Sequence, residues 1–295
     1  MNHTHTALLA LYSSVVLLAL NGLFAKLIPL DSVTITGVRS VVACFGLLVL
    51  IQLRHSSIRL PAFKTLLGIY GLGVLLGLHW ITYFQSMQVS TVAIGMLTLF
   101  SYPVITVLIE PLFKRSLPQW QDVCAAFLVF VGVAIIASDG LWHSQRVNSD
   151  SSLLVGALWG LLSAVLFAVR NTLQKYCFHA TNSASLIAHQ VFAVSIMLLP
   201  FVDIASLGRM PFEGWTLIIV LGLVSTAAAH SFLSMSLKYL DAKSVAMISC
   251  STPVVGGFFA WLLLGEKPPI VVYFGGALIL SVAIYESLKQ KTKYA

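Results

Sequence analysis

His79 and His230 stand 151 residues apart, each inside a long apolar run, and each is followed four residues later by a hydroxyl, Tyr83 and Ser234. On a helix that spacing puts imidazole and hydroxyl on one face. Such a pair can hydrogen-bond a polar molecule, and an imidazole can exchange a proton near neutral pH. Arg170, with Asn171 beside it, brings a permanent cation whose planar donor fork suits a carboxylate or phosphate. Asn21 and Tyr102 add neutral polar groups within other apolar runs. These residues, Asn21, His79, Tyr83, Tyr102, Arg170 and His230, form the candidate solute-contacting set. His79, Glu110 and His230 are the candidates for proton coupling. Ionisable groups at membrane depth are costly, which makes each a functional candidate by default.

Each has a structural alternative. The two histidines could tie neighbouring helices through backbone carbonyls instead of lining a cavity. Arg170 could extend its long side chain to the nearer interface. Glu110 has Lys114 four residues on, a spacing that pairs the two on a helix surface. Lys26 and Arg39 fall closer to predicted helix ends, where they would anchor or pair with Asp31.

Other chemistries lack their signatures. The chain has no HExxH, no GxSxG, no GxxxxGK[ST] and no paired acids in mid-span. A channel's filter repeat or ring of like charge is also missing. Cys44, Cys124, Cys177 and Cys250 are dispersed without a CxxC, so they read as buried free thiols, with no metal and no cofactor implied. The net charge of +7 is spread over short connections rather than gathered in a soluble basic domain, which argues against nucleic acid.

These residues must be positioned by membrane-spanning helices. Hydrophobic residues make up 58% of the 295 and charged ones 9%, too few for a water-facing shell that usually needs about 25%. The mean hydropathy is +0.94. Apolar runs of about 20 residues, enough to cross a bilayer, recur without period-two alternation, so they read as helices rather than barrel strands. Ten spans follow, roughly 7–28, 33–53, 65–87, 91–112, 119–137, 153–175, 183–202, 214–236, 244–264 and 269–287. The amino-terminal MNHTHT has no Lys or Arg, so the first run is expected to be a permanent helix rather than a cleaved signal. Lys and Arg alternate along the connections. One set holds Arg54, Arg59, Lys64, Lys114, Arg115, Lys175, Lys238, Lys243, Lys289, Lys291 and Lys293; the opposite set holds Lys26, Arg146, Arg209 and Lys267. That asymmetry predicts both termini on the cytoplasmic side of a multi-pass protein, with Trp142 and Trp215 at the interfaces.

The chain also repeats itself. Pro103 matches Pro253 and Pro118 matches Pro268 at a separation of 150, while Met96 matches Met247 at 151. Five spans per half is odd, so the second half enters the membrane from the opposite side. The expected division is a first repeat over 7–137, an extracytoplasmic linker over 138–152, a second repeat over 153–287 and a cytoplasmic tail over 288–295. Inverted halves of this kind can exchange conformations and expose a central site to each side in turn. Pro103 and Pro253, a matched pair in mid-span, read as hinges. Gly73 and Gly77 in helix 3 have small-xxx-small spacing for close packing.

This pattern resembles the drug/metabolite transporter superfamily, and within it the EamA-like family. The residues carrying the resemblance are Asn21-Gly22-Leu23-Phe24-Ala25-Lys26 and Arg39 in the first half. In the second half they are Gly156-Ala157-Leu158-Trp159, Phe167, Pro253, Leu264-Gly265-Glu266 and Gly275-Gly276. The first half departs from the family pattern at Ser116, where an acid equivalent to Glu266 is expected. The resemblance implies a solute cavity lined by helices 1, 3, 4, 6, 8 and 9, with 5 and 10 peripheral, in a bacterial inner membrane. The expected function is secondary transport, export or facilitation, of a small organic metabolite. Because the deep charge is basic, an amino-acid-like or carboxylate-bearing solute is expected. A proton-coupled exporter of cationic drugs is the alternative, with a channel behind it. Lipid and the solute are the expected partners, and a homo-oligomer is left open.

Overall fold

The computed structural model describes residues 3–53, 62–90, 92–144, 150–179, 182–264 and 270–293. Within them the chain is helical throughout, with no strand. Helix α1 runs His3–Leu27, with a turn at Ala19-Leu20. It is followed by α2 (Ser32–Leu53) and α3 (Phe63–Val89). Helix α4 comes in two pieces, Val92–Leu99 and Tyr102–Lys114, and leads to α5 (Trp120–Ser144). The second half repeats the order with α6 (Asp150–Cys177), α7 (Ser183–Leu198) and α8 (Phe212–Tyr239). Helix α9 is again in two pieces, Ala242–Ser249 and Thr252–Leu264, and α10 spans Ile270–Lys293.

Six of the described helices are long and apolar enough to cross a membrane: α1, α2, α3, α6, α7 and α8. Helices α4 and α9 fall short only because each is interrupted, at Phe100-Ser101 and at Cys250-Ser251. Pro103 and Pro253 sit in the first turn after these breaks. A proline there loses no helical hydrogen bond, but its ring prevents the two pieces from fusing across the gap. The sequence predicts kinks at these sites, and each helix is interrupted there by a short turn whose residues keep right-handed angles, with Ser101 N–H donating to the Thr98 carbonyl and Ser251 N–H to that of Ile248. The helix 8 span changes character differently, winding as a π-helix over Leu221–Ala228, where Thr226 Oγ1 donates to the Leu221 carbonyl five residues back at 2.8 Å.

Packing follows a two-fold pattern that relates the halves. Helix α3 packs on α6 as α8 packs on α1, and α3 packs on α7 as α8 packs on α2. Helix α4 packs on α6 as α9 packs on α1, while α2 meets α7 and α5 meets α10 across the axis. That is the signature of two five-helix repeats in inverted orientation. Phe45, Leu112 and Phe274 stand 69%, 75% and 70% exposed on these long apolar helices, as fits a lipid-facing surface. Close approach between α3 and α7 depends on Gly73, where a Cβ would lie 2.7 Å from the Gln190 carbonyl oxygen. Gly77 meets Met197 and Val194 in the same seam.

Helix starts are secured by side chains. Asp31 Oδ1 accepts from the Val33 and Thr34 amides, each at 2.9 Å, so Asp31 caps α2. Asn182 caps α7 in the same way. In the connection before α8, the Ser206 hydroxyl and amide and the Ala205 amide bond Asp203, holding its carboxyl below the usual carboxylate range. Of the predicted interfacial tryptophans, Trp215 is 37% exposed, and the Trp142 side chain lies outside the described residues. Gly265, Glu266 and Lys267 also lie outside them, as do Arg54, Arg59 and Arg146.

Candidate functional site

A cavity of about 40 Å³ lies where α1, α2, α3, α4, α6, α8 and α9 converge. Asn21, His79, Tyr83, Tyr102 and His230, five of the six sequence-predicted contact residues, line it together. Six of its fourteen lining residues are aromatic by ring count among Phe, Tyr and Trp, and none is Asp or Glu. The volume admits a few waters but no organic molecule, whose sites usually take about 300 Å³ or more. The cavity must therefore widen before an organic solute can enter.

The two deep arginines have exchanged the positions expected of them. Arg170 is fully buried, does not line the cavity, and is held by neutral amides. Its Nε donates to Gln190 Oε1 at 3.0 Å, Nη2 donates to the same oxygen, and Nη1 donates to Asn171 Oδ1 at 2.8 Å. Gln190 in turn donates to Gln174 at 3.2 Å, so the cation ties α6 to α7. Arg39, expected near a surface beside Asp31, instead lies 1% exposed in the cavity wall. Asp31 is occupied as the α2 cap, and Arg39 enters the membrane about two turns further along the helix, roughly 10 Å deeper. Its guanidinium carbon sits 4.3 Å from the Trp80 ring centroid and 4.7 Å from that of Phe84. Nε and Nη2 are buried without a hydrogen-bond partner, and among the described residues no carboxylate pairs with the group.

His79 both ties helices and lines the cavity. Its Nδ1 lies 2.7 Å from Ser163 Oγ, whose own hydroxyl donates to the His79 carbonyl at 3.0 Å. The serine proton is thus committed, so Nδ1–H must be the donor, and a neutral ring presents Nε2 as an acceptor. Phe167 stacks on this imidazole at 4.3 Å and Tyr83 at 6.3 Å. His230 meets the edge of Trp80 at 4.9 Å, and its Nδ1 is buried without a partner, as is Asn21 Oδ1. Tyr102 donates its hydroxyl to the Ala246 carbonyl at 3.1 Å, joining α4 to α9 beside the cavity. Orphaned buried polar atoms are uncommon in native proteins, and here those of Asn21, Arg39 and His230 converge on one space.

Glu110 lies elsewhere, 1% exposed in a second cavity of about 370 Å³ at one end of the bundle. Lys114 Nζ is 3.3 Å from it, the i+4 pairing that the sequence allows. Its carboxylate also accepts from the Tyr176 hydroxyl, from the Ala242 amide at 3.1 Å and from the Lys243 amide at 3.3 Å. Lys114 reaches Asp241 at 3.3 Å, and Asp122 holds both Lys243 and Lys289, the latter at 2.8 Å. Glu110, Lys114 and Asp122 come from the first half; Tyr176, Asp241, Lys243 and Lys289 come from the second. This bridge between halves is invisible at i+4 spacing, because its partners lie 66 to 167 residues away.

Comparison with known proteins points the same way. The family model of the EamA-like transporter family matches twice, over residues 5–138 and 154–285, one match to each half. An uncharacterized transporter of Archaeoglobus fulgidus is 23% identical over 92% of this chain and 93% of its own length. The uncharacterized transporter YcbK of Bacillus subtilis is 24% identical over 66% of this chain and 63% of its own. A probable terminal-alkyne amino-acid exporter of Streptantibioticus cattleyicolor is 24% identical over 60% of this chain and 57% of its own. A crystal structure of another protein shares the fold at 15% identity, with a TM-score of 0.76 over 97% of this chain and 98% of that one. With ten helices among the described residues in two inverted repeats, and both repeats matched, the chain is a multi-pass membrane protein of the drug/metabolite type that belongs to the EamA-like transporter family.

Proposed function

We propose that the protein carries a small organic, carboxylate-bearing or amino-acid-like metabolite across a bacterial inner membrane by alternating access, with the central cavity as the solute site. The convergence of unpartnered polar atoms from Asn21, Arg39 and His230 on an aromatic-walled cavity carries this reading. Inside hydrocarbon such groups cost several kcal/mol unless something pairs with them, as water does in a small polar cavity and a polar solute would on displacing it. The cavity belongs to both repeats, so a rocking motion of one against the other opens it to one side at a time. The breaks at Phe100-Ser101 and Cys250-Ser251 supply the points of bending, with Pro103 and Pro253 as hinges.

The charge asymmetry of the connections supports a cytoplasmic side for both termini and the Glu110 cluster, and an outer side for the 138–152 connection between repeats. At that end of the bundle the cluster ties the two halves together. Export fits the relative named as an amino-acid exporter. A cationic solute fits less well, since the cavity wall holds a guanidinium and two imidazoles without an acid. Counterflow in proteoliposomes tests the reading. Preloaded amino acids or monocarboxylates should accelerate uptake of the labelled solute, whereas ethidium should not. Exchange of ethidium alone would replace this reading with the drug exporter.

A further inference from the structure

We infer that Arg39 receives the carboxylate of the transported solute, and that the solute is a monocarboxylate with an aromatic or bulky apolar body. The inference rests on the transport reading above and sharpens it to one residue and one ligand class. Three observations carry it. First, Arg39 is 1% exposed, and two of its nitrogens are buried with no partner. A fixed buried cation is retained at high cost unless an anion or an equivalent set of acceptors pays for it, and Arg170 shows what a satisfied one looks like in the same bundle. Second, Trp80 and Phe84 flank the guanidinium and support it through their faces. The unpartnered Nε and Nη2 form one edge of the donor fork, which a carboxylate can engage bidentately. Third, the cavity wall brings together the Arg39 guanidinium and the imidazoles of His79 and His230, and no acid lines it. Beyond the guanidinium, Tyr83, Tyr102 and Phe167 offer apolar ring surface suited to a solute body of similar character.

The test uses the purified full chain and a panel of phenylpyruvate, phenylacetate and 3-phenylpropionate, each beside its uncharged amide. Thermal stabilisation and counterflow are read in parallel, since a ligand that binds the folded form raises its melting temperature. The carboxylates should bind at least about tenfold more tightly than the amides, the weight of one charge-assisted contact. Arg39→Gln should erase that preference, and Arg39→Lys should keep part of it, since the charge survives without the fork. Should Arg39→Gln fold poorly, the Lys variant alone decides through its reduced preference. Equal handling of acids and amides by the wild type, or a preference that survives in Arg39→Gln, overturns the inference and leaves transport standing. Transport confined to cations or neutral solutes overturns it too. A folded wild type that exchanges no solute of any charge contradicts the transport reading itself.

The Glu110 cluster carries a second inference independently. The repeat register maps Glu110 onto Ala260, Lys114 onto Leu264 and Asp122 onto Val272 at a separation of 150. At 151 it maps Asp241 onto Ser90 and Lys243 onto Val92. Apart from Lys289, which falls on Asp139 at a separation of 150, every ionic member of the bridge is thus matched by an uncharged residue in the other half. We infer that the bridge is a one-sided latch, biasing the resting carrier toward closure on its own face. Spin labels at Leu117→Cys and Lys238→Cys, one in each half at this end, report the separation. A cysteine-depleted background should give one short-distance population, and adding Glu110→Gln with Asp122→Asn should introduce a second, longer one. For latch variants that fold poorly, raising salt to about 1 M on the labelled parent should shift populations the same way by screening. A distribution unchanged by both treatments overturns the latch.

Discussion

The Cys250 thiol lies 3.7 Å from the Phe100 carbonyl oxygen, and these two residues occupy the same position of the two repeats, 150 apart. The breaks in α4 and α9 therefore meet each other at the centre of the molecule, beside a cavity lined by Phe100, Tyr102, Ser249 and Thr252. Each break frees backbone groups in mid-membrane, which is tolerated only where protein or a polar cavity meets them. The point where each half bends is also the point where the halves touch.

Pro103→Ala and Pro253→Ala should let the paired pieces of α4 and α9 wind into continuous helices. Turnover in reconstituted vesicles is expected to fall about tenfold in each, equivalent to about 1.4 kcal/mol on the barrier. Melting temperature should hold or rise, because a helix interruption has been removed. An unchanged turnover number would show that the breaks do not bend during transport.

Arg170→Gln should destabilise the protein by about 2–4 kcal/mol, since it removes three charge-assisted hydrogen bonds and strands Gln190 and Asn171. Arg39→Gln should cost far less stability, because its Nε and Nη2 have no partner to lose. Chemical or thermal unfolding in detergent separates the two variants. Equal losses would mean that both guanidiniums are scaffold.

How far this arrangement was legible in the sequence can be judged from those arginines. Span count, repeat and inverted sense follow from hydropathy, loop charge and the 150-residue register, which are one-dimensional quantities. Asn21, His79, Tyr83, Tyr102 and His230 could be gathered because polar side chains in mid-span avoid lipid. Depth and facing are another matter. Arg170 is deeper in its helix than a surface anchor needs, but its amide partner Gln190 lies 20 residues on in α7, and only the packing angle reveals it. Proximity in sequence pairs Arg39 with Asp31, but the Val33 and Thr34 amides have the nearer claim on that carboxylate. For Glu110, the Lys114 pairing was readable, and the second-half partners were not, since only tertiary folding brings them within reach.

Gly73→Leu should lower stability by about 1–3 kcal/mol, because its Cβ would meet the Gln190 backbone at 2.7 Å and neither helix can yield without repacking. Gly71→Ala, two residues away with nothing within 4 Å of the added carbon, should be neutral or stabilising by up to about 1 kcal/mol. The comparison cancels general effects of altering α3. Similar melting temperatures for the two variants would refute the close α3–α7 seam.

Ser163→Ala should leave the His79 Nδ1–H with its weaker 3.2 Å contact to the Ser163 carbonyl alone. A loss of about 1–2 kcal/mol in stability is expected, with a rise in the apparent KM for solute as the ring loses its fixed tautomer. Unchanged transport with unchanged stability would mean that Ser163 does not orient the imidazole.

The most direct test places a single cysteine at Thr252, in the cavity wall, in a chain lacking the four native cysteines. A membrane-impermeant maleimide is then applied separately to right-side-out and inside-out vesicles. Reaction from both sides, slowed in each case by saturating solute, is the result expected of a central site exposed alternately. Reaction from one side only, or from neither while solute is being exchanged, would contradict it.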